Sequence, residues 1–452
     1  MSFPKYPAYK DSGVEWLGDV PEHWRVDRLK YACQVFPSNV DKKSYDNETP
    51  VRLCNYTDVY YNETIVSDMN FMAATATSEQ IEKFTLRAGD TIITKDSETA
   101  DDIAIAAYVP EDLPGTVCGY HLSMVRPNAA THGAFVKRLF DSHYARGKFN
   151  VLANGLTRVG LGQYALDNVD LPWPPLPEQQ TIAAFLDRET AKIDALVGEQ
   201  EKLVALLKEK RQSVISHAVT RGLNPAAAMK DSGVEWLGEV PAHWDVTPLR
   251  WLLSTPVTNG LFKKKEDFGK GVLLINVFDI YRDDYRINYV SLDKVDCNLD
   301  EQHAYEVTQG DLFFVRSSLK REGVAVVAVA DQIDEPVVFE CHLIRARPNS
   351  SRLQGRFASY VLNSASYKAR LVSLAKVTTM TTIDQEAIKS VEIVCPPIAE
   401  QCAIAQYLDD ATKSFDLMTS EAQRGIALLQ ERRTALISAA VTGQIDVRGV
   451  AV

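Results

Sequence analysis

The sequence predicts an α+β protein in which one unit, a domain followed by a long helix, occurs twice. Three observations carry this. KDSGVEWLGDVPEHW (10–24) returns as KDSGVEWLGEVPAHW (230–244), identical at 13 of 15 positions. Short apolar runs separated by turn residues fill the first part of each unit, as strands do. Each such region then gives way to apolar residues spaced alternately by four and three, as a packed helix requires.

The repeat takes in the whole chain. RAGDTIITK (87–95) matches TQGDLFFVR (308–316), and CGYHLSMVRPN (118–128) matches FECHLIRARPN (339–349). PPLPEQQTIAAFLD (174–187) matches PPIAEQCAIAQYLD (396–409), and ALLKEKRQSVISHAVTRG (205–222) matches ALLQERRTALISAAVTGQ (427–444). The order is kept and the offset drifts only from 220 to 222, so one unit is duplicated in tandem. Such a unit is too long for a solenoid repeat.

Taken in order, the chain reads as a lead-in segment (1–23), a first α+β domain (24–172) and a first long helix (173–221). A linker with the repeated lead-in (222–243), a second domain (244–394), a second helix (395–443) and a tail (444–452) follow. TIIT after Gly89-Asp90, IAIAAYV (103–109) and HLSMVRP (121–127) read as strands, and FVKRLFDSHYARGKF (135–149) as a helix. In the second copy LFFV (312–315), VAVVAVA (324–330) and HLIRARP (342–348) read as strands, and RFASYVLNSASYKARL (356–371) as a helix. LPWPPLP (171–177) closes the first domain, Pro177 suits a first helical turn, and Gly222 and Gly443 suit helix ends. The first helix carries an expected seam at Ile182, Leu186, Glu189, Ile193, Leu196, Gln200, Leu203, Leu207, Lys210, Val214 and His217. The second carries Ile404, Leu408, Ala411, Phe415, Met418, Ala422, Gly425, Leu429, Arg432, Leu436 and Ala439. About 40 residues make a rod of about 60 Å. A lone helix with such a seam needs a partner, and the chain supplies two.

With 452 residues, 46% of them hydrophobic, the chain can bury ordinary cores. It has no run of 18 apolar residues, so no membrane-spanning helix is expected. Its N-terminus, MSFPKYPAYKDSG, has no apolar signal core. Seven cysteines without a CxxC read as reduced thiols, hence a cytoplasmic protein. The net charge of −11 weighs against a generic nucleic-acid coat and leaves a local basic face open.

Two α+β domains, each followed by a PPLxEQ-type start and a long helix, resemble the DNA specificity subunit of type I restriction–modification systems. WPPLPEQQTIAAFLD, CPPIAEQCAIAQYLD, the helix ends AVTRG and AVTGQ, and the paired VEWLGxVPxHW carry the resemblance. It implies that each domain is a target-recognition domain reading one half of a split sequence in double-stranded DNA. It implies two antiparallel coiled-coil helices acting as spacer and binding two modification (methyltransferase) subunits. Restriction (motor-nuclease) subunits would join the complex, and antiphage defence would be its role. S-adenosylmethionine, ATP and Mg are then expected on partner subunits, with no cofactor, metal or catalytic residue in this chain. Two similar domains on a rigid antiparallel rod form a pseudo-twofold object suited to two half-sites at fixed separation.

Candidate DNA-facing residues come from loops that differ between the copies. In the second copy TNGLFKKKEDFGK (258–270) brings Lys263, Lys264 and Lys265 beside Asn259, and RSSLKRE (316–322) adds Arg316, Ser317, Ser318, Lys320 and Arg321. Lysines can hold phosphates, while Arg, Asn and Ser can read base edges. A lysine run that is only a solvated face is the competing reading. The corresponding first-copy loop, KDSETADD (95–102), is far less basic, so Lys42, Lys43, Lys95 and Arg158 are the better cationic candidates there. NGLTRVGLGQY (154–164) and KVTTMTTIDQE (376–386), the latter containing Thr379, occupy equivalent places before the domain ends.

Catalytic motifs fail in turn. GLGQYA (160–165) fits GxGxxA, but LTRV before it is a poor buried strand and TTIDQE stands at the same place in copy two. NPAA at Asn224 is a weak echo of an amino-methyltransferase motif, and GLFKKKEDFGK lacks the phosphate-loop spacing. The repeated pairs His121/His342 and His23/His243 read as structural hydrogen bonders, and Asp101-Asp102 and Asp283-Asp284 as loop charges. No Cys/His spacing suggests zinc. A self-sufficient DNA methyltransferase would need the missing motifs. A coiled-coil adaptor without a DNA role would leave two divergent domains unexplained.

Overall fold

The computed structural model describes residues 3–155, 157–377 and 380–449. The chain forms two compact units, Met1–Glu201 with Arg424–Val452, and Lys202–Gln423. Their boundary runs through both long helices, Leu176–Arg221 and Ile398–Val441. The compact units therefore partition the chain differently from the sequence segments, which divide at helix ends. Among the described residues no helix is long and apolar enough to cross a membrane.

In the first unit a four-stranded antiparallel sheet runs in the order Cys33–Pro37, Leu122–Pro127, Thr91–Thr94, Ala106–Tyr108. A three-stranded sheet has Thr49–Cys54 between Thr116–Cys118, parallel to it, and Met72–Ala76, antiparallel. Side chains alternate across a strand, and TIIT uses both faces. Ile92 enters the core shared with the three-stranded sheet, while Ile93 enters the core shared with the helices. The second unit repeats this in the orders Thr258–Asn259, Leu343–Ala346, Leu312–Val315, Val327–Val329 and Asp293–Val295, Phe268–Ile275, Val337–Phe339. There Leu312 and Phe314 face the helix side, and Phe313 and Val315 the other core.

The helix expected over 135–149 is two helices, Gly133–Phe140 and His143–Leu152. Ser142 breaks it, because its extended backbone and its hydroxyl, accepting from the Ala145 amide at 3.2 Å, start a new helix. The second copy breaks at the matching place, into Gly355–Asn363 and Ala365–Leu374 around Ser364.

Within each unit the two long-helix segments run antiparallel. In the first, Arg433 bonds Asp194 at 2.8 Å, while Ile182 and Leu186 share a core with Ile437, Ala440 and Val441. In the second, Arg211 bonds Asp416 at 2.9 Å, while Ile215 and Val219 share a core with Ile404 and Leu408. The seam departs from the expected heptad list. Ile182, Leu186 and Ile193 are buried, but Leu196 and Leu203 are exposed, and at the far end Ile215, Ala218 and Val219 replace Val214 and His217. In the second helix Ile437, Ala440 and Val441 replace Leu436 and Ala439. A straight helix drifts about 20° per heptad from a 3.5-residue repeat, or about 100° over five heptads, which is one residue. The buried stripe keeps the 3.6-residue period, so the seam moves by one position.

The repeated lead-in segments form the same strand pairing in both units. Tyr9–Asp11 pairs with Asp19–Pro21, and Met229–Asp231 with Glu239–Pro241. Trp24 and Trp244 are fully buried. Trp24 lies against Gly443 and Trp244 against Gly222. Both glycines have positive φ, and a Cβ on Gly443 would meet Pro21 at 2.3 Å, so the helix ends there must be glycine. Trp236 stacks edge-on against Tyr367, centroids 4.8 Å apart. Trp16, the equivalent of Trp236, is 59% exposed with Lys148 above its ring.

Candidate nucleic-acid interface

In the second unit the chain ends of several strands converge on one edge. Ser317–Ser318 pairs with Thr381–Thr382, which pairs with Lys376–Val377, so RSSLKRE lies directly against KVTTMTTIDQE. The Arg316 amide donates to the His342 carbonyl at 2.8 Å, and the Ile383 amide to the Arg316 carbonyl at 2.9 Å. Gln385 donates to the Asn259 side chain at 3.1 Å. The edge thus gathers Asn259, Arg316, Ser317 and Ser318. Lys320 and Arg321 are exposed and have no ion-pair partner among the described residues. Thr379 lies outside the described residues.

The first unit builds the same edge from different side chains. Asp96–Ser97 pairs with Val159–Gly160, so KDSETADD lies against NGLTRVGLGQY. Lys95 donates to the Ser38 carbonyl at 3.0 Å and sits 4.8 Å from the centroid of the half-exposed Tyr120 ring. Arg158 is exposed in the neighbouring loop. The acidic residues of this loop are partly engaged: Asp96 holds His121 at 3.0 Å, and Asp102 accepts from Tyr60 at 3.0 Å. That hydrogen bond, helped by the charge of Asp102, raises the Tyr60 pKa and keeps the phenol a donor.

The lysine candidates form a second, equivalent pair of places. Lys42 and Lys43 follow the bridge Val40–Gly119, as Lys263 and Lys264 follow Leu261–Glu340. Lys42 and Lys43 are exposed. Lys263 is committed to Glu301 at 2.8 Å, Lys264 stands 4.0 Å from Glu266, and Lys265 is exposed. Among the described residues, no hydrogen bond or ion pair links Lys263, Lys264 or Lys265 to Arg316, Ser317 or Ser318.

Sequence reading missed the aromatic contribution. Tyr56 and Tyr60 stack at 5.4 Å beside the exposed Tyr61, on the short helix that Asn55 and Asp58 cap. The signal was present, since NYTDVYY (55–61) and NVFDIYR (276–282) share the spacing of Asn, Asp and Tyr. It also missed Glu178 as the acceptor that ties down the lead-in segment. Glu178 takes Tyr6 at 2.6 Å, His23 at 2.8 Å and Trp24 at 3.0 Å, while its equivalent Glu400 takes His243 at 2.8 Å. His23 and His243 are thus hydrogen bonders. Asp284, read as a loop charge, clamps Arg282 at 3.0 Å.

Two places invite a ligand reading. A Cβ on Gly160 of GLGQYA would stand 3.2 Å from an Asp96 carboxylate oxygen, an acidic setting that does not suit a phosphate. Glu340, Cys341 and His342 each offer one donor atom within 4.8 Å of the others. Burial and then the Glu340 charge push the Cys341 thiol up, and Arg316 lies against the Cys341 carbonyl at 3.4 Å. The adjacent Arg316 guanidinium works against a cation there.

Comparison with known proteins agrees with this architecture. Residues 21–204 and 275–424 match the type I restriction modification DNA specificity domain. The chain is 22% identical to the EcoKI specificity subunit of Escherichia coli K12 over 443 residues, covering 95% of this chain and 90% of that one. A chain from a solved assembly of a type I R-M system superposes with a TM-score of 0.72 at 18% identity, over 96% of this chain and 99% of that one. The HsdS subunit of Thermoanaerobacter tengcongensis gives 0.52 at 18% identity, over 94% and 98%. The family match spans most of the chain in two blocks, and the protein belongs to the type I restriction–modification DNA specificity subunits.

Proposed function

We propose that each unit reads one half of a bipartite duplex target, and that the chain is the non-catalytic DNA-reading subunit of its complex. The observation that carries this is the edge itself. The same frame of strand ends occurs twice, holding Arg316, Ser317 and Ser318 in one unit and Lys95, Asp96 and Ser97 in the other. A shared frame with exchanged side chains suits two half-sites of different sequence. The long helices set the spacer length and dock two modification subunits. Exposed Leu196, Leu203, Leu206, Leu417 and Leu428 on those helices favour a docking role. S-adenosylmethionine, ATP and Mg belong to the modification and restriction partners, and the complex works in the cytoplasm.

The test is to co-express the chain with its modification subunit and map methylated adenines by single-molecule sequencing. The expected motif has two specified blocks around a fixed unread gap. A continuous motif would refute the bipartite reading. Methyl transfer by the chain alone would refute the non-catalytic one.

A further inference from the structure

The edge of the second unit carries two large apolar side chains that nothing in the unit covers. Phe278 is 86% exposed and Leu319 is 85% exposed. Single exposed apolar residues are ordinary on a protein surface, but the segments that carry these two are bonded to each other. Leu319 follows the paired strand Ser317–Ser318. Phe278 stands in the turn Val277–Ile280, next to Asn276. The two segments are tied together: the Tyr281 hydroxyl donates to the Gly323 carbonyl at 2.8 Å, and Gly323 packs against Ser318.

The first unit has the same turn and the same loop, tied by Tyr60 and Asp102. At an offset of 221 the equivalents of Phe278 and Leu319 are Thr57 and Glu98, both also exposed. Packing therefore makes no demand at either place. The exchange of polar for apolar is therefore free to follow whatever meets the edge. Charge identifies that occupant. Leu319 is followed by Lys320 and Arg321, neither with an ion-pair partner among the described residues, whereas Glu98 lies between Asp96 and Asp101. An apolar tip flanked by free cations suits a polyanion that displays apolar groups between its charges. In the major groove of duplex DNA the apolar group presented is the 5-methyl of thymine.

We infer that Phe278 and Leu319 contact thymine methyl groups in the half-site read by the second unit, which rests on the reading of the edge given above. Leu319 stands between Ser318, able to reach a base edge, and Lys320, able to reach a phosphate. That position meets the rim of the groove, where the methyl lies, rather than the base stack.

The experiment uses the assembled complex of this chain with its modification subunits, and duplexes carrying the mapped target. Each thymine in both half-sites is replaced in turn by deoxyuridine, which removes the methyl alone. Wild type is expected to lose about fourfold in affinity at one or two thymines of one half-site. F278S and L319S should bind the thymine duplex about as weakly as wild type binds the deoxyuridine duplex, and show no further loss at the same positions. Both side chains are exposed, so neither variant threatens folding. Equal affinity for thymine and deoxyuridine at every position would overturn the inference. So would variants that lose equally on both duplexes, the sign of a wedge between base steps, or a half-site without thymine. Failure of the wild-type complex to bind any target duplex would refute the reading of the edge, and this inference with it.

Discussion

Replacing Glu178 by Ala should release the first lead-in segment, while the same change at Glu400 should leave the second in place. Glu178 is buried and receives the Tyr6 hydroxyl, the Trp24 indole and the His23 imidazole. Tyr6 and Trp24 are themselves buried, so removal of the carboxylate strands two donors. Each stranded donor costs about 1–3 kcal/mol, which sums to roughly 2–6 kcal/mol. His23 is 41% exposed and adds little. Glu400 has His243 as its bonded partner, on a pair that is half open to water, so its loss costs within about 1 kcal/mol. Hydrogen exchange followed by mass spectrometry on the full chain reads both segments at once, without assuming two-state unfolding. In Glu178→Ala the peptides over 3–24 should lose at least about tenfold in protection, since ~1.4 kcal/mol is a factor of ten. In Glu400→Ala the peptides over 223–244 should change by only a few fold. Equal losses in the two copies, or none in either, would sink the idea that Glu178 fastens the chain start to the frame.

Other expectations follow from the same frame. Burial works to raise the Glu63 pKa, but Lys137, Arg433 and Arg138 outweigh it and hold the carboxylate at about 2. Its stabilisation is therefore full above the ordinary glutamate value near pH ~4.3 and is lost as pH falls from there through about 2; wild type should lose stability faster than Glu63→Gln on acidification. Ile215→Ala in the buried stripe should cost about 2–4 kcal/mol in urea unfolding of the second unit. Leu206→Gln, at an exposed position, should change stability by less than about 0.5 kcal/mol yet weaken modification-subunit binding in a titration. Four residues inserted in both long helices add about 6 Å, or about two base pairs at ~3.4 Å each. Methylation mapping should show a longer gap, and an unchanged gap would refute the ruler role.

The tandem unit, its strands and its helix starts were legible because they rest on local chemistry: Gly-Asp turns before apolar runs, PP before the helices, glycine after them. What sequence reading overextended were regular patterns. A 15-residue apolar-periodic stretch looked continuous, yet Ser142 and Ser364 each begin a new helix there. A heptad fitted both long segments, but an unforced helix keeps 3.6 residues per turn, and Leu196 and Leu203 fell off the buried stripe. Distance in sequence hid the rest. Nothing near residue 178 announces that its carboxylate will meet Tyr6, His23 and Trp24, and a lysine run does not show that one member is held by Glu301.

The comparison of the two copies separates frame from reader more finely than either copy alone. Where both units need the same geometry, the residues coincide: Asn55 and Asn276 cap the same turn, Asp58 and Asp279 complete the cap, and Trp24 and Trp244 fill the same hollow. Where a side chain stands exposed near the converging strand ends, they part: Glu98 against Leu319, Thr57 against Phe278. Neighbouring positions thus coincide or diverge according to the direction of the side chain, not the element it sits on. A fold that needed those outward residues for stability would not tolerate such exchanges of charge and polarity. Nothing inside the unit fixes these residues, which leaves them open to be set by whatever the edge meets. The strand-end edge is therefore the first place to mutate, ahead of the lysine run at 263–265, where Glu301 already holds Lys263.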